Sequence, residues 1–541
     1  MAILFGDTSG SLTGKQHGGD QTLVGADPAN SLFGDAGVDL RDHAVGGNDT
    51  LLTSGAGSEF GDAGRDISDH AAGGADTLTA QVEFANITLN MFGDAGGNIS
   101  DHATGGADTL SAHLTESHNF RGIFALNMYG DVGGDISDHA VAGDDTLSFQ
   151  AERAGGSASS KMITSYGDAG GNLSDHAVGG NDTFNGQGPE IFFRFFGDAG
   201  GSMSGFAHGG NDSFTTGGFE NNNRFWGDAA GDMSGHASGG DDSLAVDGFN
   251  PHTFFYGDAG GNMSDRAIGG NDTFNDSSVA TFPDLNIFYG DAGGNMSGHV
   301  QGGNDTFNKT GSEGSTFYGD AGGDMSDHAH GGNDTFIATN LHRQWVFFYG
   351  DAGGNMGDQA VGGDDTYNGG NVFPQLLNRA YGDAATMSGN ARGGNDTLIA
   401  GNLDATPPPA GSFQTLLVGD AQTMSDNARG GNDRLISGTG NDDMWGDAQA
   451  LLGNAKGGND TFVFNANSGH DVIEDFGQGV AGSNLGTDHI DVSGLGITSF
   501  GQLDISAFDP TSHDSTIAFS PGNEVVVHSQ VALTPQDFLF A

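Results

Sequence analysis

Fifteen Gly-Asp pairs, with their glycines at 6, 34, 61, 93, 130, 167, 197, 227, 257, 290, 319, 350, 382, 419 and 446, divide the chain into copies of one unit. Residues Tyr256–Phe274, reading YGDAGGNMSDRAIGGNDTF, are a representative copy. Neighbouring copies start 27 to 37 residues apart, a period that belongs to solenoids and repeat arrays. A unit this short cannot bury an apolar face alone, so the copies have to stack, and 541 residues then extend in one dimension rather than into several globular domains.

Aligned copies give columns. The residue before Gly-Asp is aromatic in fourteen of them (Phe5, Phe33, Phe60, Phe92, Tyr129, Tyr166, Phe196, Trp226, Tyr256, Tyr289, Tyr318, Tyr349, Tyr381, Trp445), with Val418 the exception. A second column runs Leu12, Leu40, Ile67, Ile99, Ile136, Leu173 and then Met from Met203 to Met424; a third includes Leu51, Phe184, Phe274, Phe336 and Phe462. A fourth is small, almost always Ala, with Val300 in one copy. Period 3.6 is missing and the apolar positions are islands between glycine-rich bends, which is the pattern of short strands and tight turns. The expected fold is all-β: a parallel β-solenoid (β-roll or β-helix) of about 15 coils over residues 1–460, with a C-terminal β-rich cap over 461–541. Three nonapeptide-sized pieces per copy fit either a two-sided or a three-sided coil. Variable segments such as Ser111–Met128 and Asn402–Leu417 are expected to loop outward. If the pre-glycine aromatic faces the core, Phe195, Phe225, Phe255, Phe288, Phe317 and Phe348 point outward, under inserted loops or as an exposed contact stripe.

Charge limits the options further. Lys plus Arg number 16 against 71 Asp plus Glu, a net charge of −55, which repels nucleic acid and anionic lipid. There is no Cys, and no apolar run approaches the roughly 18 residues of a membrane span. The start, MAILFGD, lacks the basic and apolar stretches of a cleavable leader, so any export is expected to use another signal. The Gly-Asp column supplies Asp7, Asp35, Asp62, Asp94, Asp131, Asp168, Asp198, Asp228, Asp258, Asp291, Asp320, Asp351, Asp383, Asp420 and Asp447. The Asn-Asp-Thr column supplies Asp49, Asp76, Asp108, Asp145, Asp182, Asp212, Asp242, Asp272, Asp305, Asp334, Asp365, Asp396, Asp433 and Asp460, with Gln21 in the first copy. Carboxylates stacked about 4.8 Å apart repel by about 3.5 kcal/mol per pair at an effective dielectric constant of 20. Two such ladders cost tens of kcal/mol, more than the roughly 5–15 kcal/mol that stabilises a typical domain. A divalent cation, one to two per coil, is therefore expected. Turn capping by Asp does not account for the vertical repetition. His43, His70, His102, His139, His176, His236, His299 and His328 share another column, but Arg266 and Asn390 stand in it too, so a solvent-facing or hydrogen-bonding ladder is expected ahead of a transition-metal array.

Residues Gly430–Gly446, GGNDRLISGTGNDDMWG, place Asp433 and Asp442 nine apart, as they do Leu435 and Met444. This resembles the repeats-in-toxin (RTX) nonapeptide, Gly-Gly-x-Gly-x-Asp-x-apolar-x. The resemblance implies Ca2+ as the cation, held by the two Asp columns and Asp442, and calcium's taste for six to eight oxygen ligands agrees. Residues 461–541, with TFVFNANSGHDVIEDFGQG, TDHIDVSGLG and the ending LTPQDFLFA, resemble the C-terminal region of RTX proteins exported by type I secretion. That resemblance implies an uncleaved export signal, a cap, further calcium ligands among Asp471, Asp475, Asp488 and Asp491, and folding outside the cell where calcium is abundant. No His-Glu-x-x-His or Gly-x-Ser-x-Gly motif occurs, and the expectation is a non-enzyme, although a solenoid polysaccharide lyase or epimerase is the catalytic alternative. The functional expectation is an extracellular structural protein that self-associates head-to-tail into a filament, surface layer or matrix. The alternative is a calcium-dependent adhesin for cell-surface polysaccharide or a host surface.

Overall fold

Threonines that follow the Asn-Asp pair open strands, and aromatics that precede the Gly-Asp pair close them, so each repeat contributes one strand to each of two sheets. The structure is a computed structural model that describes residues 2–541 except 26–28, 84–86, 116–122, 153–159, 220–221, 250, 280–284, 312–313, 342–344, 373–377 and 404–414. The chain is an all-β parallel β-solenoid of about 14 turns. It divides into two compact units, Met1–Phe274 with Ser278–Phe282, and Asn275–Ser277 with Pro283–Ala541.

In the first unit, strands ending on the aromatic column pair parallel and in register, from Ala2–Phe5, Ala29–Phe33 and Ala56–Phe60 through to Asn222–Trp226 and His252–Tyr256. A second parallel sheet holds Thr22–Gly25, Thr50–Thr53, Thr77–Val82, Thr109–Leu114, Thr146–Ala151, Thr183–Pro189, Ser213–Phe219 and Ser243–Val246. Between the two sheets the backbone bends sharply, and coils touch through single-residue bridges such as Ala36–Ala63, Leu40–Ile67 and Val45–Ala72. One repeat is therefore one complete coil.

The second unit repeats the plan and widens the bridging segment. Ala352–Met356, Ala384–Met387, Ala421–Met424 and Ala448–Leu451 form a third parallel sheet, so these coils are three-sided. The parallel order continues past residue 460. Thr461–Val463 pairs with His489–Asp491, which pairs with Phe538–Leu539, and His470–Phe476 pairs with Asn523–Ser529. It ends in an antiparallel hairpin, Asp514–Ser520 with Asn523–Ser529. Among the described residues no helix is long and apolar enough to cross a membrane.

The core consists of the expected ladders with one inversion. Beyond the first coil, where Leu23 is only half-buried, the Leu/Ile/Met column from Leu40 to Met424, the Ala column and the post-Thr column are buried, as Ile99, Met203, Ala103 and Phe184 show. The outward placement of Phe195, Phe225, Phe255, Phe288, Phe317 and Phe348 is wrong: all six are 0 % exposed. Strand alternation is as expected, but the opposite parity faces inward. Burying each such ring is worth about 1.5–3 kcal/mol. The pre-glycine aromatics lie on the bend instead. Most are half-buried and stack face to face, as Phe33–Phe60 at 4.8 Å and Tyr129–Tyr166 at 4.7 Å do. A methyl at Gly64 would strike the Phe33 ring of the coil before, so glycine there makes the ring's bed.

The variable segments are less loop-like than expected. Ser111 to Leu114 belongs to strand Thr109–Leu114 and Ile123–Tyr129 is a strand as well; the remainder at 116–122 lies outside the described residues. Asn402–Leu403 pairs with Asn371–Val372, and 404–414 again lies outside them.

Candidate metal centre

The two Asp columns emerge at adjacent corners of the coil, one after the aromatic strand and one before the Thr strand, and both turn inward. From Asp35 to Asp228 in the first unit, and from Asp291 to Asp447 in the second, every Gly-Asp carboxylate is buried, as is every carboxylate of the other column from Asp49 to Asp460. Asp7 differs. It is exposed, and its Oδ1 and Oδ2 accept hydrogen bonds from Gln21 Nε2 at 2.8 Å and the Gly19 amide at 2.6 Å, so the first coil has one carboxylate where others have two.

Most of these carboxylates use one oxygen for the backbone, while Asp94, Asp131, Asp168 and Asp198 share a glycine amide between both oxygens. Asp145 Oδ1 accepts the amide of Asp108 at 2.6 Å, and the amide of Asp145 donates to Asp182 Oδ1 at 2.7 Å. Asp131 Oδ2 accepts the amide of Gly143 at 3.0 Å, closing the turn within its own coil. Glycine is required beside these groups: a methyl at Gly46 would meet the Asp62 carboxylate, and one at Gly47 the Gly19 carbonyl. In many of the others the second oxygen is left over. Asp76, Asp108, Asp145, Asp182, Asp212 and Asp242 each bury an Oδ2 that accepts no hydrogen bond, as do Asp228, Asp320, Asp351, Asp383, Asp420 and Asp447.

Among the described residues one set of three carboxylates comes together at metal-ligand spacing: Asp131, Asp145 and Asp168. One oxygen from each lies within 4.8 Å of the others, bringing the two carboxylates of one coil together with the Gly-Asp carboxylate of the next. Burial pushes all three well above the usual carboxylate range, and negative neighbours add to it: Asp145 acts on Asp131, Asp182 on Asp145, and Asp182 with Asp198 on Asp168. Elsewhere burial raises Asp35, Asp198 and Asp383 to about 6 and Asp49 to about 7. Facing carboxylates with no donor between them require a proton or a cation. Ligands of one Ca2+, at about 2.3–2.6 Å from the ion, lie up to about 5 Å apart, a span that admits the triad.

Asp442 is buried but belongs to neither ladder. Its amide donates to Asp471 Oδ1 at 3.0 Å, and Ser437 Oγ donates to Asp471 Oδ2 at 3.0 Å. Asp475 and Asp488 extend the two ladders beyond the last repeat. Asp475 accepts the amides of Gly446 and Asp447 at 2.7 and 3.0 Å, and Asp488 accepts that of Asp460 at 2.9 Å and is raised by burial to about 8. The resemblance to RTX C-terminal regions pointed to both; their spacing from Asp447 and Asp460, 28 in each case, falls within the repeat length and is a further signal for them. Asp491 is partly exposed and lies 3.9 Å from Arg434.

The His column stands outside. His43, His70, His102, His139 and His176 are exposed, and their rings follow one another at 4.8–5.1 Å. Of the Asp and Asn residues before the Met column, Asp39 is buried, whereas Asn98, Asp135 and Asn172 are exposed and accept amides of the adjacent coil at 2.7–2.9 Å. The chain matches no protein-family model, no curated protein and no solved structure.

Proposed function

We propose that this is a secreted, calcium-binding structural protein that folds where calcium is abundant and assembles head-to-tail into an extracellular filament, surface layer or matrix. The observation that carries the calcium reading is the double ladder of buried carboxylates, many of which, Asp145, Asp182 and Asp320 among them, keep an oxygen that no donor satisfies. Ions bound between coils would hold the fold together, because a cation that binds the folded chain alone shifts folding by mass action. The Asp columns together with Asp442, Asp471, Asp475 and Asp488 are the ligands in this reading, at one to two ions per coil. Export by type I secretion rests on the resemblance of residues 461–541 to RTX C-terminal regions.

Assembly draws on the first coil. Ile3, Leu4, Phe5 and Val24 are 55, 36, 39 and 57 % exposed, and among the described residues strand Ala2–Phe5 pairs on one side alone, with Ala29–Phe33. Such an edge is a template for another strand, and a head-to-tail contact propagates. Electron microscopy and light scattering of the calcium-loaded chain test this: fibres or sheets that vanish on chelation are expected, and a lasting monomer would refute assembly. The adhesin reading draws on a polar groove of about 460 Å³ in the first unit, lined by Asp66, Asn98, Asp135 and Asn172 beside Ser100 and Ser137. Glycan-array binding by a monomer would favour it.

A further inference from the structure

Inside the second unit three side chains meet that no repeat column calls for. Asp276 Oδ2 accepts hydrogen bonds from Lys309 Nζ at 2.6 Å and from Asn286 Nδ2 at 3.0 Å, so an amine and a carboxamide converge on one carboxylate oxygen. Lys309 and Asn286 are 0 % exposed and Asp276 is 1 % exposed. The backbone fixes the arrangement. The Asp276 carbonyl accepts the amides of Thr310 and Gly311 at 2.8 and 3.1 Å, Lys309 is in register with Ala338, and Asn286 with Ser315. Strands Thr306–Lys309 and Leu285–Tyr289 thus send these groups into the interior from two different sheets. A buried ion pair is no more stabilising than apolar residues of similar volume, so packing alone does not explain a lysine here, in a chain with only 16 Lys and Arg.

We propose that Lys309 and Asn286 form an intramolecular isopeptide crosslink, with Asp276 as the proton carrier. A proton passes from Lys309 Nζ to the Asp276 carboxylate, leaving a neutral amine beside the amide carbon. The amine attacks Asn286 Cγ, the Nζ–Cγ bond forms, and Asp276 returns its proton to Nδ2 as the Cγ–Nδ2 bond breaks. Of the three protons on the lysine ammonium one stays on the new amide, and two leave with the asparagine NH2 group as ammonium. Neither oxidant nor reductant takes part. The fixed approach of the groups supplies the orientation such an attack needs, and burial keeps water from competing. The product would tie two sheets of one coil covalently, so that this coil could not unwind.

Intact mass spectrometry of the full chain under denaturing conditions tests this whatever the variants' stability. The expected mass is lower than that of the sequence by one ammonia, and tandem spectra of a digest should show one peptide linking Asn286 to Lys309. Lys309→Met and Asp276→Asn should each restore the full mass. An unmodified chain would overturn the proposal. So would loss of one water, which means an amide between Lys309 and Asp276, or an ammonia loss that persists in Lys309→Met.

Discussion

Asp145→Asn separates the charge of the triad from its hydrogen bonding. The amide keeps an acceptor for the Asp108 N–H, which now lies 2.6 Å from Asp145 Oδ1, and removes one negative charge. At a separation of 4.8 Å two unit charges repel by about 3.5 kcal/mol at an effective dielectric constant of 20, and Asp145 takes part in two of the three pairs. Without a cation the substitution thus removes up to about 7 kcal/mol of repulsion, less whatever a shared proton has already relieved. With a cation bound it takes away a buried counter-charge, a loss of about 3–5 kcal/mol and hence a hundredfold or more in affinity at that site. The substitution is expected to act with opposite signs in the two conditions. Urea unfolding followed by far-ultraviolet circular dichroism at about pH 6 should show a lower midpoint in calcium and an equal or higher one in calcium-free buffer. Calcium titration should show one high-affinity ion fewer. Destabilisation of the same size in both buffers would refute the reasoning, because it would mean that Asp145 acts as a hydrogen-bonding group alone.

Without calcium, stability should fall as pH rises. Below an unfolded pKa of about 4 both states are protonated; from there up through the folded values near 6 for Asp35, Asp198 and Asp383 and about 8 for Asp488, the native chain keeps protons that the unfolded chain has lost. Acid should therefore restore β-structure to a calcium-depleted sample, and a calcium-free stability that rises between pH 5 and 8 would contradict the burial of these carboxyls. Glu59 lies in an interior column between Leu32 and Met91, and burial raises it to about 8. Glu59→Gln should stabilise the chain by about 3 kcal/mol at pH 7, with the gain vanishing near pH 4; a pH-independent effect would show that the carboxyl is not the cause. Gly47→Ala should lower calcium-loaded stability sharply, since its methyl meets the Gly19 carbonyl and no side-chain rotation relieves it. Normal thermal unfolding of that variant would mean the coils are looser than described.

The solenoid was legible because its period and columns are properties of spacing, and spacing survives substitution. The two columns of buried Asp were legible for the same reason, and the 28-residue steps to Asp475 and Asp488 could have been read from spacing alone. Strand parity was not. Phe195 and Phe196 are adjacent aromatics, and alternation says that one faces inward without saying which. The stacking of the second ring over a glycine bend, as Phe33 over Gly64, is a contact between coils that no single repeat displays. Asp7 looked like every other Gly-Asp carboxylate, yet it is exposed and has Gln21 beside it where other coils place a second carboxylate. The Asp276, Asn286 and Lys309 cluster had a signal in the scarcity of lysine, but its members come from separate strands whose facing only the fold reveals.

Calcium removal bears most directly on the central claim that cations between coils hold this fold. Far-ultraviolet circular dichroism at about pH 7.5, taken with and without chelator and paired with a count of bound ions by equilibrium titration, is the measurement. The account predicts one to two ions per coil, a β-rich spectrum with calcium, collapse of that spectrum on chelation and its recovery when calcium returns. A β-rich spectrum unchanged by chelation, with no ions bound, would contradict it.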